Sequence, residues 1–175
     1  MGENHPFRSA TLLAAAGLLF LSITSCRTER RTGDLHLGTP ARHTPYDGKY
    51  EKVRKYLKEV YTKIRYVPEP DGIDYWQLPE ETEALGTGDC EDMAILLYVK
   101  LKNAGLLSTR LCIGKHNASA ALMHAWVMWS DGERHYILDP SVSDQPLQTN
   151  QAPRGSYIPY YSYDGDDKWV HYPAE

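Results

Sequence analysis

A cysteine placed at the start of an apolar run constrains the fold of this chain more than any other feature. Cys90 follows Asp89 and precedes the uninterrupted apolar run Met93–Val99. Asp89 is suited to cap a helix, and Asp92, three residues later, can complete a capping box, so the sequence predicts a helix that begins at Cys90. The free backbone N–H groups and the positive dipole end of a first turn favour a thiolate. We therefore expect Cys90 to be a nucleophile.

The helix that begins at Cys90 should be the buried centre of the fold. Apolar residues surround it almost completely, and Gly105 is suited to end it. An amphipathic pattern predicts another helix over residues 46–66, ended by Pro68. Residues 71–88, between the two helices, are predicted to form a loop. The length of 175 residues and the hydrophobic content of 42% indicate one globular domain.

Three β-strands are predicted after this helix, over Thr109–Gly114, Ala121–Trp129 and Arg134–Leu138. A Ser-Asp-Gly-Glu turn joins the last two strands into a hairpin. His124 lies in the second strand and Asp139 directly follows the third, so we expect the carboxylate to reach the imidazole from the neighbouring strand. The tyrosine-rich tail after residue 141 predicts two more short strands that extend the sheet.

Cys90, His124 and Asp139 together supply the three groups that acyl transfer to a thiol needs. The sulfur attacks the acyl carbon, the imidazole protonates the leaving amine, and the carboxylate fixes the imidazole tautomer. The reaction also makes an oxyanion that needs N–H donors, and Trp76 and Gln77 are candidates for that role. The alternative for Trp76 is that its ring only packs over the helix.

The N-terminal residues 1–25 are predicted to be a signal peptide. Arg8 precedes the apolar stretch Leu12–Leu21, which is too short to span a membrane comfortably. The following Ile23–Cys26 resembles a bacterial lipobox, which implies cleavage before Cys26 and a lipid on its sulfur. The alternatives are an ordinary signal peptide cut nearby or an uncleaved anchor. Since Arg27 is not aspartate, the outer membrane is the favoured location in a Gram-negative organism.

Residues 26–45 form the predicted lipidated N-terminus and a flexible tether, and residues 46–175 form the folded domain. With Cys26 as the anchor, Cys90 and Cys112 remain, and we expect both thiols to be free. The net charge of -4, without a basic stripe, argues against nucleic acid as the main partner. The expected partners are the membrane, through Cys26, and a protein or peptide substrate in the cell envelope.

The segments around the three candidate catalytic residues resemble the transglutaminase-like superfamily, namely Gly88–Ala94, His124–Val127 and Leu138–Ser141. The segment Asp74–Thr82 that leads into the cysteine is similar, more narrowly, to the bacterial transglutaminase-like cysteine proteinases. This resemblance implies an α+β, papain-like core. Its central helix carries the cysteine and packs on an antiparallel sheet that carries the histidine and the aspartate.

The resemblance also implies a metal. In the proteinases of this group that cleave surface adhesins, the acidic residues beside the cysteine belong to a calcium site needed for activity. Asp89 and Glu91 match those positions. The alternative is that these carboxylates only stabilise the first turn of a helix, which acidic residues do in any case. The triad chemistry itself requires no cofactor.

Three functional hypotheses follow from these patterns. The first is a lipid-anchored cysteine hydrolase that cleaves peptide or isopeptide bonds of envelope proteins or peptidoglycan peptides through a thioester. The second is a protein-glutamine transglutaminase, which passes the same acyl group to an amine. The third is a non-enzymatic envelope binding module with the same fold.

Overall fold

The computed structural model describes residues 48–70, 72 and 74–172. The predicted signal peptide, the lipidation site Cys26 and the tether to residue 45 lie outside the described residues. Within the described part of the chain, no helix is long and apolar enough to cross a membrane.

Three helices and eight strands make up the described chain. In chain order these are α1 Lys49–Lys63, β1 Arg65–Tyr66, α2 Pro79–Leu85, β2 Thr87–Gly88, α3 Cys90–Asn103, β3 Thr109–Asn117, β4 His124–Ser130, β5 His135–Leu138, β6 Leu147–Gln148, β7 Ser156–Asp164 and β8 Asp167–Val170.

Six of the strands form one antiparallel sheet in the order β6-β5-β4-β3-β7-β8. The short strands β1 and β2 pair in parallel and form a separate ribbon. Helix α3 packs on the sheet through β3 and β4, and α1 and α2 pack on α3. This architecture confirms the predicted α+β fold with a central cysteine-bearing helix on an antiparallel sheet.

The main hydrophobic core lies between α1, α3 and one face of the sheet. Helix α3 is buried at every position from Asp92 to Tyr98 and again at Leu101, as its nearly continuous apolar sequence predicts. A second, smaller cluster on the sheet contains Cys112, Trp126 and Ile137. Cys90 and Cys112 are both free thiols, as expected.

The segment predicted as a loop over residues 71–88 contains helix α2 and strand β2, so that prediction is wrong over its second half. Two local signals mark the helix: Pro79 occupies its first turn, and Gly86 ends it in a left-handed conformation at φ 63°. The first predicted helix, over residues 46–66, is shorter than expected and ends at Lys63.

The two C-terminal strands extend the sheet, as predicted, through pairing of β7 with β3. The register between them shifts between Ile113 and Gly114, which is a β-bulge. A Cβ atom at Gly114 would lie 2.0 Å from the carbonyl oxygen of Ile158. Glycine is therefore required for the close approach of the two strands at this point.

Replacing Gly114 with Ala should lower the free energy of unfolding by about 3 kcal/mol, because the backbone must move to admit the added methyl group. Gly155→Ala is the matched control, since it has a positive φ of 76° but nothing within 4 Å of the added Cβ. It should cost about 1 kcal/mol, from the left-handed backbone alone. Urea denaturation measures both losses, and equal losses would contradict this account of the bulge.

Candidate active site

Cys90 is the first residue of α3, and two carboxylates hold the helix start in place. The backbone N–H of Asp92 donates to Asp89 Oδ1 at 3.5 Å, and the backbone N–H of Asp89 donates to Asp92 Oδ2 at 3.2 Å. This reciprocal pair is the predicted capping box. The sulfur of Cys90 accepts a hydrogen bond from the backbone N–H of Ala125, so the start of α3 lies against the start of β4.

His124 and Asp139 meet at the same end of the sheet. His124 begins β4, Asp139 directly follows β5, and His124 Nε2 lies 2.6 Å from Asp139 Oδ2. Since Nε2 is engaged by the carboxylate, Nδ1 is the ring nitrogen that remains for proton exchange. The residue that contacts the Cys90 sulfur, Ala125, is the next one along β4.

Asp139 is buried and accepts four hydrogen bonds. His124 Nε2 and the Tyr157 hydroxyl bind Oδ2, and the backbone N–H and hydroxyl of Ser141 bind Oδ1 at 3.1 and 2.7 Å. Burial by itself would raise the pKa of this carboxyl group, but the hydrogen bonds and the charge of His124 lower it overall. Asp139 is therefore an ionised, fixed partner for the imidazole.

The surroundings of the Cys90 thiol raise its pKa. Burial has the largest effect, and Glu91, which accepts a hydrogen bond from Sγ at 3.0 Å, raises the pKa further, while the Ala125 N–H lowers it. Burial and Glu91 therefore oppose the effect of the helix start, which by itself favours a thiolate. The helix start can be predicted from the sequence, but the contact of the Glu91 side chain with the sulfur cannot.

The two oxyanion candidates differ in what their polar groups do. The indole N–H of Trp76 donates to Asp74 Oδ1 at 2.9 Å, and the ring packs against the main core. Gln77 is tied to the cysteine helix, because its backbone N–H donates to Asp92 Oδ1 at 2.8 Å. Its side-chain Oε1 is buried without a hydrogen-bond partner. The indole N–H of Trp76 is therefore engaged by Asp74, and the unpartnered atom of Gln77 is an acceptor and not the N–H donor that an oxyanion needs.

Acidic side chains cluster beside Cys90. Ligand atoms of Asp89, Cys90 and Glu91 lie within 4.8 Å of one another, and so do those of Glu69, Asp74 and Glu91. Burial and the nearby Glu91 raise the pKa of Asp89 to about 7. Carboxylate oxygens are the ligands that Ca²⁺ prefers, so the donor set fits a hard cation.

Residues 38–140, more than half of the chain, match the family model of the transglutaminase-like superfamily. The chain belongs to this superfamily. The comparison with curated proteins finds no match.

Solved structures of LapG from Legionella pneumophila share the transglutaminase-like fold. One superposes with a TM-score of 0.55 at 26% identity and covers 67% of this chain and 68% of that chain. The calcium-bound form gives 0.56 at 23% identity over 70% and 74% of the two chains. An EGTA-treated form gives 0.55 at 26% identity over 67% of each chain. The family and these structures support a cysteine-protease-type function.

Three features of this transglutaminase-like site were not found from the sequence. Glu69 and Asp74 join Glu91 in the acidic cluster, and their position in an acidic, proline-containing connection is the only local signal. Asp92 was assigned only to the capping box, but it also binds Gln77. Tyr157, which binds Asp139, is far from the triad in sequence and has no local signal.

The lowered pKa of Asp139 predicts a specific pH dependence of stability. A carboxyl group with a lowered pKa contributes stability above its ordinary value of 3.8 and loses that contribution as pH falls through the folded-state pKa. The difference in unfolding free energy between wild type and Asp139→Asn should therefore shrink as pH falls below 3.8. Urea denaturation at a series of pH values measures it. The exposed-turn variant Asp166→Asn is the control, and a difference independent of pH would contradict the prediction.

Proposed function

We propose that this protein is a lipid-anchored cysteine hydrolase of the cell envelope that cleaves peptide or isopeptide bonds through a thioester. The observation that carries the proposal is the His124–Asp139 pair, 2.6 Å apart, at the end of the sheet where Cys90 contacts β4. The nucleophile, the base and the carboxylate that orients the base then come from three elements, α3, β4 and the end of β5.

In the proposed reaction, the Cys90 proton passes to His124 Nδ1 as the sulfur attacks the carbonyl carbon of the substrate. The carbonyl oxygen becomes an oxyanion, for which the side-chain N–H groups of Gln77 are the proposed donors. His124 then protonates the leaving amine, the C–N bond breaks, and a thioester to Cys90 remains. Water, activated by the neutral imidazole, hydrolyses the thioester and restores the thiol. Asp139 holds the His124 ring in place throughout these steps and stabilises the imidazolium when it forms.

The proposed location follows from the N-terminal sequence. Cleavage before Cys26 and acylation of its sulfur would leave the domain on a tether of about twenty residues, and two or three acyl chains give stable anchoring. Arg27 in place of aspartate favours the outer membrane of a Gram-negative organism, on its periplasmic face. The substrates within reach are envelope proteins and peptidoglycan peptides.

Removal of the proposed nucleophile should abolish hydrolysis while the fold is kept. With a fluorogenic peptide library as substrate, Cys90→Ala should lower the hydrolysis rate at least about 10⁴-fold, because a thioester can no longer form. Cys112→Ala is the matched control: it removes the other free thiol, which is buried in the smaller cluster, and should retain activity.

The same assay separates the remaining hypotheses. Incorporation of a fluorescent primary amine into protein, dependent on Cys90 and faster than hydrolysis, would favour a transglutaminase. If the wild type and Cys90→Ala behave alike with every substrate, the hydrolase proposal fails and the binding module becomes the better hypothesis.

We also propose that the acidic cluster beside Cys90 binds calcium. Glu69, Asp74 and Glu91 bring three carboxylates within 4.8 Å of one another, and Asp89 forms a second such group with Cys90 and Glu91. A bound Ca²⁺ would offset the repulsion among these carboxylates. Glu91 also accepts the hydrogen bond from Cys90, so its engagement by a cation competes with its hold on the sulfur. A structure of the similar LapG is described as calcium-bound.

Calcium binding should be visible without any substrate. Added Ca²⁺ should raise the melting temperature of the wild type, because a ligand that binds only the folded state stabilises it. Glu91→Gln should lose most of that rise, since it removes a carboxylate shared by both ligand groups. Glu133→Gln, in the exposed turn before β5, should keep it. Equal calcium shifts in the two variants, measured by scanning calorimetry, would exclude this cluster as the binding site.

A further inference from the structure

Tyr157 contacts the proposed catalytic pair directly, although it lies beyond the family match at residues 38–140. It stands near the start of β7, and its hydroxyl donates to Asp139 Oδ2 at 3.0 Å. This is the same carboxylate oxygen that binds His124 Nε2. Ser141 binds the other oxygen, Oδ1. Tyr157 and His124 therefore share one acceptor atom.

The Tyr157 ring is fixed by aromatic neighbours from two other strands. Its centroid lies 4.8 Å from that of His116 on β3, and 5.4 Å from that of Trp126 on β4, both in edge-on geometry. Trp126 is fully buried and stacks on His124 at 6.1 Å. The hydroxyl of Tyr157 has little freedom to leave Asp139, because its ring packs against two aromatic neighbours.

The backbone of Tyr157 is unusual in a way that points to a role for its side chain. Among residues 48–70, 72 and 74–172, it is the non-glycine residue with a positive φ, at 50°. This conformation is unfavourable for a residue with a Cβ, and such outliers concentrate at functional sites. Tyr157 also adjoins Ile158, whose carbonyl makes the close approach to Gly114.

We infer that Tyr157 is a positioning residue of the His124–Asp139 pair, whose hydroxyl fixes the carboxylate and limits how strongly that carboxylate binds the imidazolium. The inference rests on the proposed function, because a thiol hydrolase needs an imidazole that gives up its proton to the leaving amine. A carboxylate oxygen that accepts two hydrogen bonds divides its charge between them. The carboxylate then holds the imidazolium in place, and the imidazolium remains acidic enough to protonate the leaving amine.

Within the described chain, the other polar groups around the His124–Asp139 pair do not bind the carboxylate oxygen that His124 and Tyr157 share. Ser141 acts on the oxygen that His124 does not touch. The titratable groups that face His124 or Asp139 are His116 on β3, Tyr157 on β7 and Tyr66 on β1. Cys90, at the start of α3, contacts the neighbouring Ala125. Of these, Tyr157 has a hydrogen bond to Asp139 in the described chain.

The test is a titration of the His124 ring, followed by ¹⁵N and ¹H NMR, in wild type and in Tyr157→Phe. Removal of the hydroxyl leaves Oδ2 to the imidazole alone, so the titration midpoint should rise by about half a pH unit. The Nε2 proton should move downfield as its hydrogen bond strengthens. Tyr160→Phe is the matched control, because it removes a hydroxyl from the same strand that does not bind Asp139, and its midpoint should equal that of wild type.

A second variant should shift the His124 titration midpoint in the opposite direction. 3-Fluorotyrosine at position 157 keeps the ring and makes the hydroxyl a stronger donor, so the His124 midpoint should fall below that of wild type. A purely structural role for Tyr157 would lower stability without moving the midpoint in either variant. An unchanged midpoint in both folded variants overturns the inference.

The outcome does not depend on finding a substrate. The titration reports on His124 even if the protein hydrolyses nothing, so failure of the proposed function leaves the shift measurable. If Cys90-dependent hydrolysis is found but the midpoint does not move, only the role of Tyr157 is refuted. If both are found, Tyr157→Phe should also lower kcat more than it raises KM, because the altered proton transfer acts after binding.

Discussion

The packing of α3 against one face of the six-stranded sheet determines where every candidate catalytic group lies. Burial of the helix from Asp92 to Tyr98 leaves it no freedom to rotate or slide, so its first residue, Cys90, is fixed against the start of β4. The antiparallel pairing of β4 with β5 then brings Asp139 to His124 from the adjacent strand. The geometry of the site is thus a consequence of core packing and strand register.

Different charged groups act on the imidazole of His124 and on the thiol of Cys90. On the sheet side, Asp139 is ionised and fully hydrogen-bonded, and it serves the imidazole. Beside Cys90, burial and the carboxylates of Glu91 and Asp89 raise the pKa of the thiol. The backbone N–H of Ala125 lowers that pKa, so the sheet and the acidic side chains have opposite effects on the thiol.

Local signals predicted the central part of the fold, and contacts between distant segments account for what was missed. The capping box of Asp89 and Asp92 and the apolar run after it are local, so α3 was predicted from its first residue. Helix α2 also has local signals, but it was hidden inside a segment interpreted as one loop. The extension of the sheet by β7 and β8 was predicted. The bulge opposite Gly114 was not, because it depends on the pairing of β3 with β7 and has no signal within either strand.

In the candidate site, too, local signals were predicted and contacts that depend on side-chain conformation or distant segments were missed. Cys90, His124 and Asp139 were proposed from residue type, order and family resemblance, and the structure brings the last two to 2.6 Å. The contact of Glu91 with the sulfur depends on a side-chain rotamer, which sequence does not specify. Tyr157 is brought near Asp139 by the pairing of β7 with β3, and its backbone has a positive φ there.

The most direct test of the central claim is whether Cys90 forms a thioester with the help of His124. Intact-mass spectrometry of the protein mixed with a p-nitrophenyl ester of an acylated amino acid measures the rate of acylation. We expect a single acyl group on Cys90, formed at least about 10²-fold more slowly in His124→Ala. Acylation elsewhere, or at the same rate in both proteins, would contradict it.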